Sequence, residues 1–361
     1  MSPEPSAESL DQRLARILAV HFDPECGTPY WLDKADALGF DPRRVIRQAT
    51  DLPRLGFMDA AELRRRPLSH FTPKAIWNAR QDLVIVQTGG TLGAPIWAAY
   101  TPEEYEAAFV EPFIAAARHV GFPTGGAWLY VGPSGPHVIG RAARSIALAT
   151  GAREPFCVDF DARWSMRLPA GSFAASRYLA HVVDQAMAIV RVQPITHIFS
   201  TPPVLLRLAE TMSQDERRRI LGVHYGGMAI APELLNEQMP TAFPEATHLA
   251  GYGNTLFGCC LELDIASSSR PVYFPHGPRI VFGVCNDEKD PASVFYQRAD
   301  AQGRCVFTRM DETMLIANML ERDETTIVAP PANGPAEFSL CGVAAPKTAE
   351  RLRNPTTANL Y

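Results

Sequence analysis

Short apolar segments alternate with longer amphipathic segments through the middle of this chain, and this alternation constrains the fold more than any other feature of the sequence. The predicted strands are residues 128–131, 156–158 and 197–200, and the predicted helices are residues 138–148 and 178–190. Strands that alternate with helices in this way form mostly parallel, layered sheets with flanking helices. The sequence therefore predicts an α/β fold.

A further helix is predicted after residue 101. Residues 101–104 have the pattern of a capping box with proline at the first helical position. The residues that follow with a helical period are Tyr105, Phe109, Phe113 and Ala117. We expect one helix that carries these four side chains inward.

The pattern changes to short β runs from about residue 271 onward. Residues 279–282, 293–296 and 305–307 are predicted strands, separated by turn residues. We therefore predict a small antiparallel β subdomain behind the α/β part. The predicted organisation is a helical lead-in at residues 1–80, an α/β core at residues 81–270, and the β subdomain with a short tail at residues 271–361.

The composition excludes several classes of protein. The chain has 361 residues, of which 47% are hydrophobic and 20% charged, as in a soluble globular protein. Its formal net charge of -5 argues against general nucleic-acid binding. No apolar stretch reaches the length of a membrane span, and residues 1–9 lack the features of a signal peptide. We expect a cytoplasmic protein in which the basic runs at residues 64–66 and 217–219 are solvated helix faces.

A glycine-rich loop, TGGTLGAP at residues 88–95, follows the apolar run at residues 83–86. Glycine amides can approach an oxyanion without a Cβ clash, and threonine hydroxyls add short donors. The loop is not the P-loop of NTPases, which requires a Gly-Lys pair, because no lysine or arginine occurs between Arg80 and Arg118. The alternative is a tight turn between two strands, ended by Pro95.

Further glycine motifs follow in a defined order. The segment YGGMAIAPE at residues 225–233 has the pattern of a strand end, a glycine turn and a helix start, and residues 249–255, which end in GYGNT, repeat that pattern. The segment MLIANMLERDET follows at residues 314–325. This series resembles the adenylate-forming superfamily of acyl-CoA ligases, nonribosomal adenylation domains and luciferases. The resemblance covers about residues 15–330 and is best to phenylacetate-CoA ligases and the acyl-protein synthetase of bacterial bioluminescence.

The resemblance implies a role for each motif. It implies that ATP and Mg²⁺ are the cofactors. It also implies that Asp323 accepts hydrogen bonds from both ribose hydroxyls. The alternative for Asp323 is a solvated charge on the surface. The residues implied to hold phosphate oxygens are Thr88, Thr91, Gly89, Gly90 and Gly93. Those implied to lie along the adenine are Gly226, Gly227 and Tyr252, and Gly253 is a further residue implied to bind the cofactor. Thr255 corresponds to a threonine that contacts the α-phosphate.

His137 is the candidate residue for the acyl pocket. The resemblance places it against the acid, where a neutral imidazole would donate to a carboxylate or act as a base. The alternative is a helix-capping or core histidine.

Three departures from the family pattern bear on activity. Leu256 stands where the family has the glutamate that holds Mg²⁺, and Ala94 stands where the phosphate loop usually has lysine. The family's small C-terminal domain carries a catalytic lysine, whereas this sequence ends at Tyr361 and offers only Lys347 in its tail. Glu262 or Asp264 would be the replacement metal ligands, with a surface loop as the alternative. We expect Mg²⁺ to be held mainly by the nucleotide phosphates.

The seven cysteines fit reduced thiols better than a disulfide framework. A structural zinc site would have to use Cys259, Cys260, His276 and Cys285, but no Cys-x-x-Cys pair is present, which favours buried thiols. Cys341 is a candidate for carrying the acyl group as a thioester, since the bioluminescence synthetase uses a cysteine near its C-terminus. The alternative for Cys341 is a small buried side chain.

Two functions follow from these observations. The first is ATP-dependent activation of a small carboxylic acid as an acyl-adenylate, with transfer to a thiol or amine; the acceptor would be CoA, a carrier protein or an amine. The second is a catalytically silent, nucleotide-binding relative that acts as a partner or scaffold. The retained glycine turns and Asp323 favour the first. Association into a homodimer is left open, and no nucleic-acid partner or membrane span is expected.

Overall fold

The computed structural model describes residues 8–90, 94–263 and 270–352. The chain begins with a helical segment whose first helix is capped by Ser9, which accepts a hydrogen bond from the Gln12 amide. The inward face of this helix buries Leu14, Ile17 and Leu18. The helices of this segment are α1 Leu10–His21, α2 Pro29–Leu38, α3 Pro42–Val45, α4 Ala60–Arg65 and α5 Lys74–Ala79, with 3₁₀ turns at Ala49–Leu55 and Leu68–His70.

An antiparallel hairpin follows, formed by β1 Val84–Gln87 and β2 Trp97–Tyr100. The glycine-rich loop lies between these two antiparallel strands in the sequence. Residues 91–93 of this loop, which include Thr91 and Gly93, lie outside the described part of the chain.

The single helix predicted after residue 101 is two helices, α6 Pro102–Phe109 and α7 Glu111–Val120. Thr101 and Glu104 form the predicted capping box, and the four predicted inward side chains are buried. The break at Val110 has a local cause in Pro112, which lacks an N–H for the next helical bond and whose ring crowds the preceding turn.

The first large sheet has six strands in the order β4-β3-β5-β6-β7-β8. Its first five strands are parallel, and β8 pairs antiparallel with β7. The strands are β3 Trp128–Gly132, β4 Phe156–Asp159, β5 His197–Ser200, β6 Gly222–Tyr225, β7 Thr247–Asn254 and β8 Gly258–Leu261. The intervening helices are α8 Val138–Ala149, α9 Ala162–Ser165, α10 Phe173–Val190, α11 Pro202–Thr211, α12 Gln214–Arg218 and, after a π-helical turn at Leu234–Gln238, α13 Met239–Ala242.

The prediction of a glycine turn and a helix start at residues 249–255 was wrong. Strand β7 continues through Gly251 and Gly253 and turns back into β8. These glycines allow close approach within the sheet rather than a turn: a Cβ on Gly253 would lie 2.2 Å from the carbonyl oxygen of Gly258. By contrast, the chain does turn at Gly226–Gly227 and becomes helical from Pro232.

The second large sheet is antiparallel throughout, as predicted for the C-terminal part of the chain. It also has six strands, in the order β11-β10-β12-β13-β14-β9. The strands are β9 Val272–Tyr273, β10 Ile280–Cys285, β11 Val294–Tyr296, β12 Gln302–Met310, β13 Leu315–Val328 and β14 Gly342–Thr348, with 3₁₀ turns at Gly277–Arg279, Pro291–Ser293 and Glu350–Leu352.

Buried side chains from the helical segment, the hairpin and both large sheets form one hydrophobic cluster. The two sheets are therefore packed on a shared core, and residues far apart in sequence can meet between them. No helix in the described part of the chain is long and apolar enough to cross a membrane.

Candidate functional site

A cavity of about 240 Å³ lies where β3, β5 and β6 end. Ligands of open α/β sheets bind at this edge, beyond the carboxyl ends of the strands. Strand β13 of the antiparallel sheet faces the cavity from the other side, so both large sheets contribute to its wall. The lining segments include residues 88–90, 130–133, 199–201, 226–229, 251–259 and 319–323.

One end of the cavity is formed by the glycine turn after β6 and by Tyr252 on β7. A Cβ on Gly226 would lie 2.6 Å from the carbonyl oxygen of Gly251, so only glycine permits this approach between neighbouring strands. Gly227 adopts a φ of 84°, a left-handed conformation that also favours glycine. These glycines leave a backbone-lined slot, which Gly253 borders as well.

Asp323 lies on β13 opposite this slot and is 6% exposed, so it is not the solvated charge that was the alternative. The Tyr252 hydroxyl donates to its Oδ2 at 3.1 Å, and the Thr348 hydroxyl donates to its Oδ1 at 3.1 Å. Each carboxylate oxygen therefore has one protein donor and retains a lone pair for a further donor. A vicinal diol, such as that of a ribose, has the two donors that this arrangement can accept.

Glu321 is a second carboxylate on the same wall and was not among the predicted site residues. Asn254 donates from Nδ2 to its Oε1 at 3.0 Å. Burial and the nearby charge of Asp323 raise the pKa of Glu321 to about 7. The available signal was its position two residues before Asp323, because such residues share one face of a strand.

The phosphate-binding candidates Thr88, Gly89, Gly90 and Thr255 also line the cavity. The Thr88 amide donates to the Ile96 carbonyl at 2.9 Å, and its hydroxyl accepts from the Ile96 amide at 2.9 Å, which leaves the hydroxyl proton for another acceptor. Gly89 and Gly90 line the cavity beside it. Thr255 also lines the cavity, but its hydroxyl donates to the Gln87 carbonyl at 3.2 Å. That hydrogen bond would have to be exchanged for a phosphate contact.

A buried cluster of charged side chains packs against the turn at residues 255–257. Asp311 accepts hydrogen bonds from Arg309 at 2.6 Å, from Arg13 at 3.0 Å and from Arg279. Arg279 also donates to the Phe257 carbonyl at 2.5 Å, and Tyr100 donates to the Thr255 carbonyl at 2.7 Å. The cluster therefore fixes the backbone of a turn that lines the cavity, and nothing in the local sequence indicated it.

A row of aromatic side chains crosses the parallel sheet beside the cavity. Tyr130, Phe199 and His224 are register neighbours on β3, β5 and β6 and all line the cavity. The Tyr130 hydroxyl donates to the Pro133 carbonyl at 2.8 Å, so this wall presents mainly apolar ring surface. It is suited to the apolar part of a small acid.

His224 is a neutral member of this row. Burial lowers its pKa to about 4, and its Nδ1 donates to the Leu249 carbonyl at 2.8 Å. Its Nε2 therefore carries no proton and can only accept a hydrogen bond.

His137, the predicted acyl-pocket residue, is not on the described cavity wall. It occupies the cap position of α8, makes no side-chain capping bond and is 6% exposed. Burial lowers its pKa. Its neighbours Val138 and Ile139 line the cavity instead, so the placement is that of a buried histidine.

The residues considered as metal ligands lie at different places in the structure. Leu256 lies on the cavity wall in the expected ligand position, and the Asn254 Oδ1 beside it accepts from the amides of Leu256 and Phe257. Glu262 lies at the far end of β8, away from the cavity wall, and Asp264 lies outside the described residues. Within residues 8–90, 94–263 and 270–352, no three histidine, cysteine or acidic side chains are grouped so that they could hold a metal ion. The four zinc candidates are therefore not grouped in this way.

The two remaining tail candidates also lie away from the cavity wall. Cys341 is 7% exposed, its amide donates to the Gln297 side chain at 2.9 Å, and burial raises the pKa of its thiol. This environment is that of a small buried side chain and disfavours a thiolate nucleophile. The backbone of Lys347 on β14 is in register with that of Glu324 on β13.

The two packed sheets with a cavity at the ends of the parallel strands are the fold of the adenylate-forming ligases. The sequence matches no protein-family model and no curated protein. Among solved structures, the chain is similar to 2-hydroxyisobutyryl-CoA ligase. The open conformation with 2-HIB-AMP and CoA has a TM-score of 0.60 and 14% sequence identity, over 92% of this chain and 67% of the ligase.

The thioesterification state of the same ligase gives a TM-score of 0.61 at 16% identity, over 93% of this chain and 66% of the ligase. The chain thus spans about two thirds of the length of these structures. The likeness confirms the predicted α/β fold and the resemblance to adenylate-forming enzymes at the level of fold.

Proposed function

We propose that this chain binds ATP in the cavity and activates a small carboxylic acid as an acyl-adenylate. The observation that carries the proposal is the Asp323–Tyr252 pair opposite the Gly226–Gly227 slot, within one cavity that also has an apolar aromatic wall. A ribose, a base and an acid each find a suited surface there. Thr88, Gly89 and Gly90 line the same cavity and would contact the phosphates.

The proposed reaction has a definite atom balance. A carboxylate oxygen of the acid attacks the α-phosphorus of ATP and forms a new P–O bond. The bond between the α-phosphorus and the bridging oxygen breaks, and pyrophosphate leaves with the electron pair. The residues described here contribute orientation, because they hold the ribose and the acid on either side of the α-phosphate. Mg²⁺ would be bound by the phosphates and would offset their negative charge.

The acceptor in a second step is a thiol or an amine. The similar ligase was crystallised with CoA, and for this chain CoA, a carrier protein or a free amine are the candidates. The buried position of Cys341 favours direct transfer from the adenylate to that acceptor over a thioester on the protein.

A silent nucleotide-binding relative is the second candidate function. It is supported by Leu256, which is 5% exposed on the cavity wall where the family pattern has an acidic ligand. A protein of this kind would bind ATP or AMP without exchanging pyrophosphate.

Calorimetric titration with AMP and ATP tests the proposal, with Asp323→Ala as the variant. Hydrogen bonds to a charged group contribute about 1.5–3 kcal/mol, so both affinities should fall at least tenfold. Asp184→Ala, at an exposed position on α10, is the matched control and should bind as wild type does.

Pyrophosphate exchange with a panel of aryl and short-chain acids separates the two candidate functions. Exchange with any acid supports the ligase, and nucleotide binding without exchange supports the silent relative. Unchanged affinity in Asp323→Ala would remove that residue from the site, and absence of nucleotide binding to wild type would overturn the proposal.

A further inference from the structure

The three arginines at the end of α4 have different surroundings. Arg65 donates to Glu62 at 2.7 Å and Arg66 donates to Glu62 at 2.6 Å, and both are exposed as expected for a solvated helix face. Arg64 instead turns toward the cavity and lines it. Its Nε donates to the carbonyl oxygen of Ala94 at 3.0 Å. Arg64 is therefore half-buried beside the cavity, whereas Arg65 and Arg66 are exposed.

The loop that Arg64 contacts has no cation of its own. No lysine or arginine occurs between Arg80 and Arg118, and Ala94 stands where the family pattern has lysine. The described cavity wall has one other arginine, Arg322, whose Nε lies 3.7 Å from the Asp323 carboxylate. Arg64 has no acidic partner among the described residues, and only its Nε is used in a hydrogen bond.

We propose that Arg64 binds the β- and γ-phosphates of ATP, and that the helical segment before the sheets thereby supplies the charge that the glycine-rich loop lacks. The inference rests on the proposed function. A guanidinium offers several donors in a planar fork that matches phosphate oxygens, and the bond from Nε to Ala94 orients that fork beside the loop. The Nη groups remain for the ligand.

Calorimetric titration of ATP and AMP against matched variants tests this assignment. Arg64→Ala should weaken ATP binding at least tenfold and leave AMP binding within about twofold, since AMP lacks the phosphates that Arg64 contacts; tenfold corresponds to about 1.4 kcal/mol. Arg65→Ala, one position away on the same helix, should change neither affinity. Arg64→Lys should recover part of the ATP affinity because it keeps the charge without the fork.

The outcomes distinguish the inference from the proposed function. An unchanged ratio of ATP to AMP affinity in Arg64→Ala, including an equal loss of both, overturns the role of Arg64 while the nucleotide site stands. If wild type binds neither nucleotide, both proposals fail. Circular dichroism and the melting temperature of each variant show whether α4 remains folded, and Arg64→Lys preserves the test if the alanine variant does not fold.

Discussion

Two carboxylates on one strand illustrate how the surroundings of a residue decide its chemistry. Asp323 and Glu321 share the cavity-facing side of β13. The Asp323 carboxylate accepts hydrogen bonds from two hydroxyl groups, whereas the Glu321 carboxylate accepts from one side-chain amide. Burial and the charge of Asp323 raise the pKa of Glu321. Asp323 is therefore suited to a ligand that brings donors. Glu321 is a group that titrates near neutral pH.

The raised pKa of Glu321 predicts a pH dependence of stability. Its folded-state pKa of about 7 lies above the ordinary value of 4.5, so protonation favours the folded state. This contribution is complete below pH 4.5 and is lost as the pH rises through about 7. Glu321→Gln should remove this dependence, so the variant should gain stability relative to wild type as the pH rises across that window.

Urea unfolding at several pH values measures the effect. Glu324→Gln, an exposed position on the same strand, is the control and should parallel wild type. A constant stability difference between Glu321→Gln and wild type across the window would contradict the prediction.

At the scale of elements, local signals predicted helices well where caps and periodicity agree. The predicted capping box at Thr101 and Glu104 begins α6. A glycine pattern, by contrast, failed at Gly251 and Gly253, where glycine serves the packing of β7 against its neighbours rather than a turn. A glycine pattern alone does not distinguish these two uses.

The buried charge cluster connects elements that are distant in sequence, and its removal should be costly. Burial by itself would raise the pKa of Asp311, but the charges of Arg279, Arg309 and Arg13 outweigh it and hold that pKa below its usual range. Asp311→Asn leaves buried guanidinium groups without their counter-charge. We expect it to lower the free energy of unfolding by about 3–5 kcal/mol.

The stabilising contribution of Asp311 depends on pH with the opposite sign to that of Glu321. A depressed folded-state pKa stabilises the protein above the ordinary value of 3.8, and the contribution is lost as the pH falls below it. The wild-type advantage over Asp311→Asn should therefore shrink on acidification, which denaturant titration can measure. Glu312→Gln removes an exposed pair with Arg16 and should cost less than about 1 kcal/mol. Equal losses in both variants would show that burial of the cluster is unimportant.

At the scale of the whole molecule, the cavity belongs to both sheets and to the helical segment before them. AMP should therefore slow amide hydrogen exchange together at residues 226–229, 252–255 and 319–323, which lie on different sheets. At a concentration one hundred times its dissociation constant, AMP should raise the free energy of unfolding by about 2.7 kcal/mol. Exchange in the middle of α10, which is not part of the cavity wall, is the internal control. Protection confined to one sheet would place the nucleotide elsewhere.

The sequence by itself determined the α/β class and the antiparallel character of the C-terminal part, because periodicity and turn chemistry are local properties. The glycine motifs and Asp323 were selected by the resemblance to a family, not by local chemistry. Only the tertiary structure decided which residues share the cavity. Arg64 meets Ala94, Asn254 meets Glu321, and Arg13 meets Asp311 through contacts between segments that no local pattern relates. The physical reason is that burial and charge pairing depend on how the two sheets pack, and packing is a property of the whole chain.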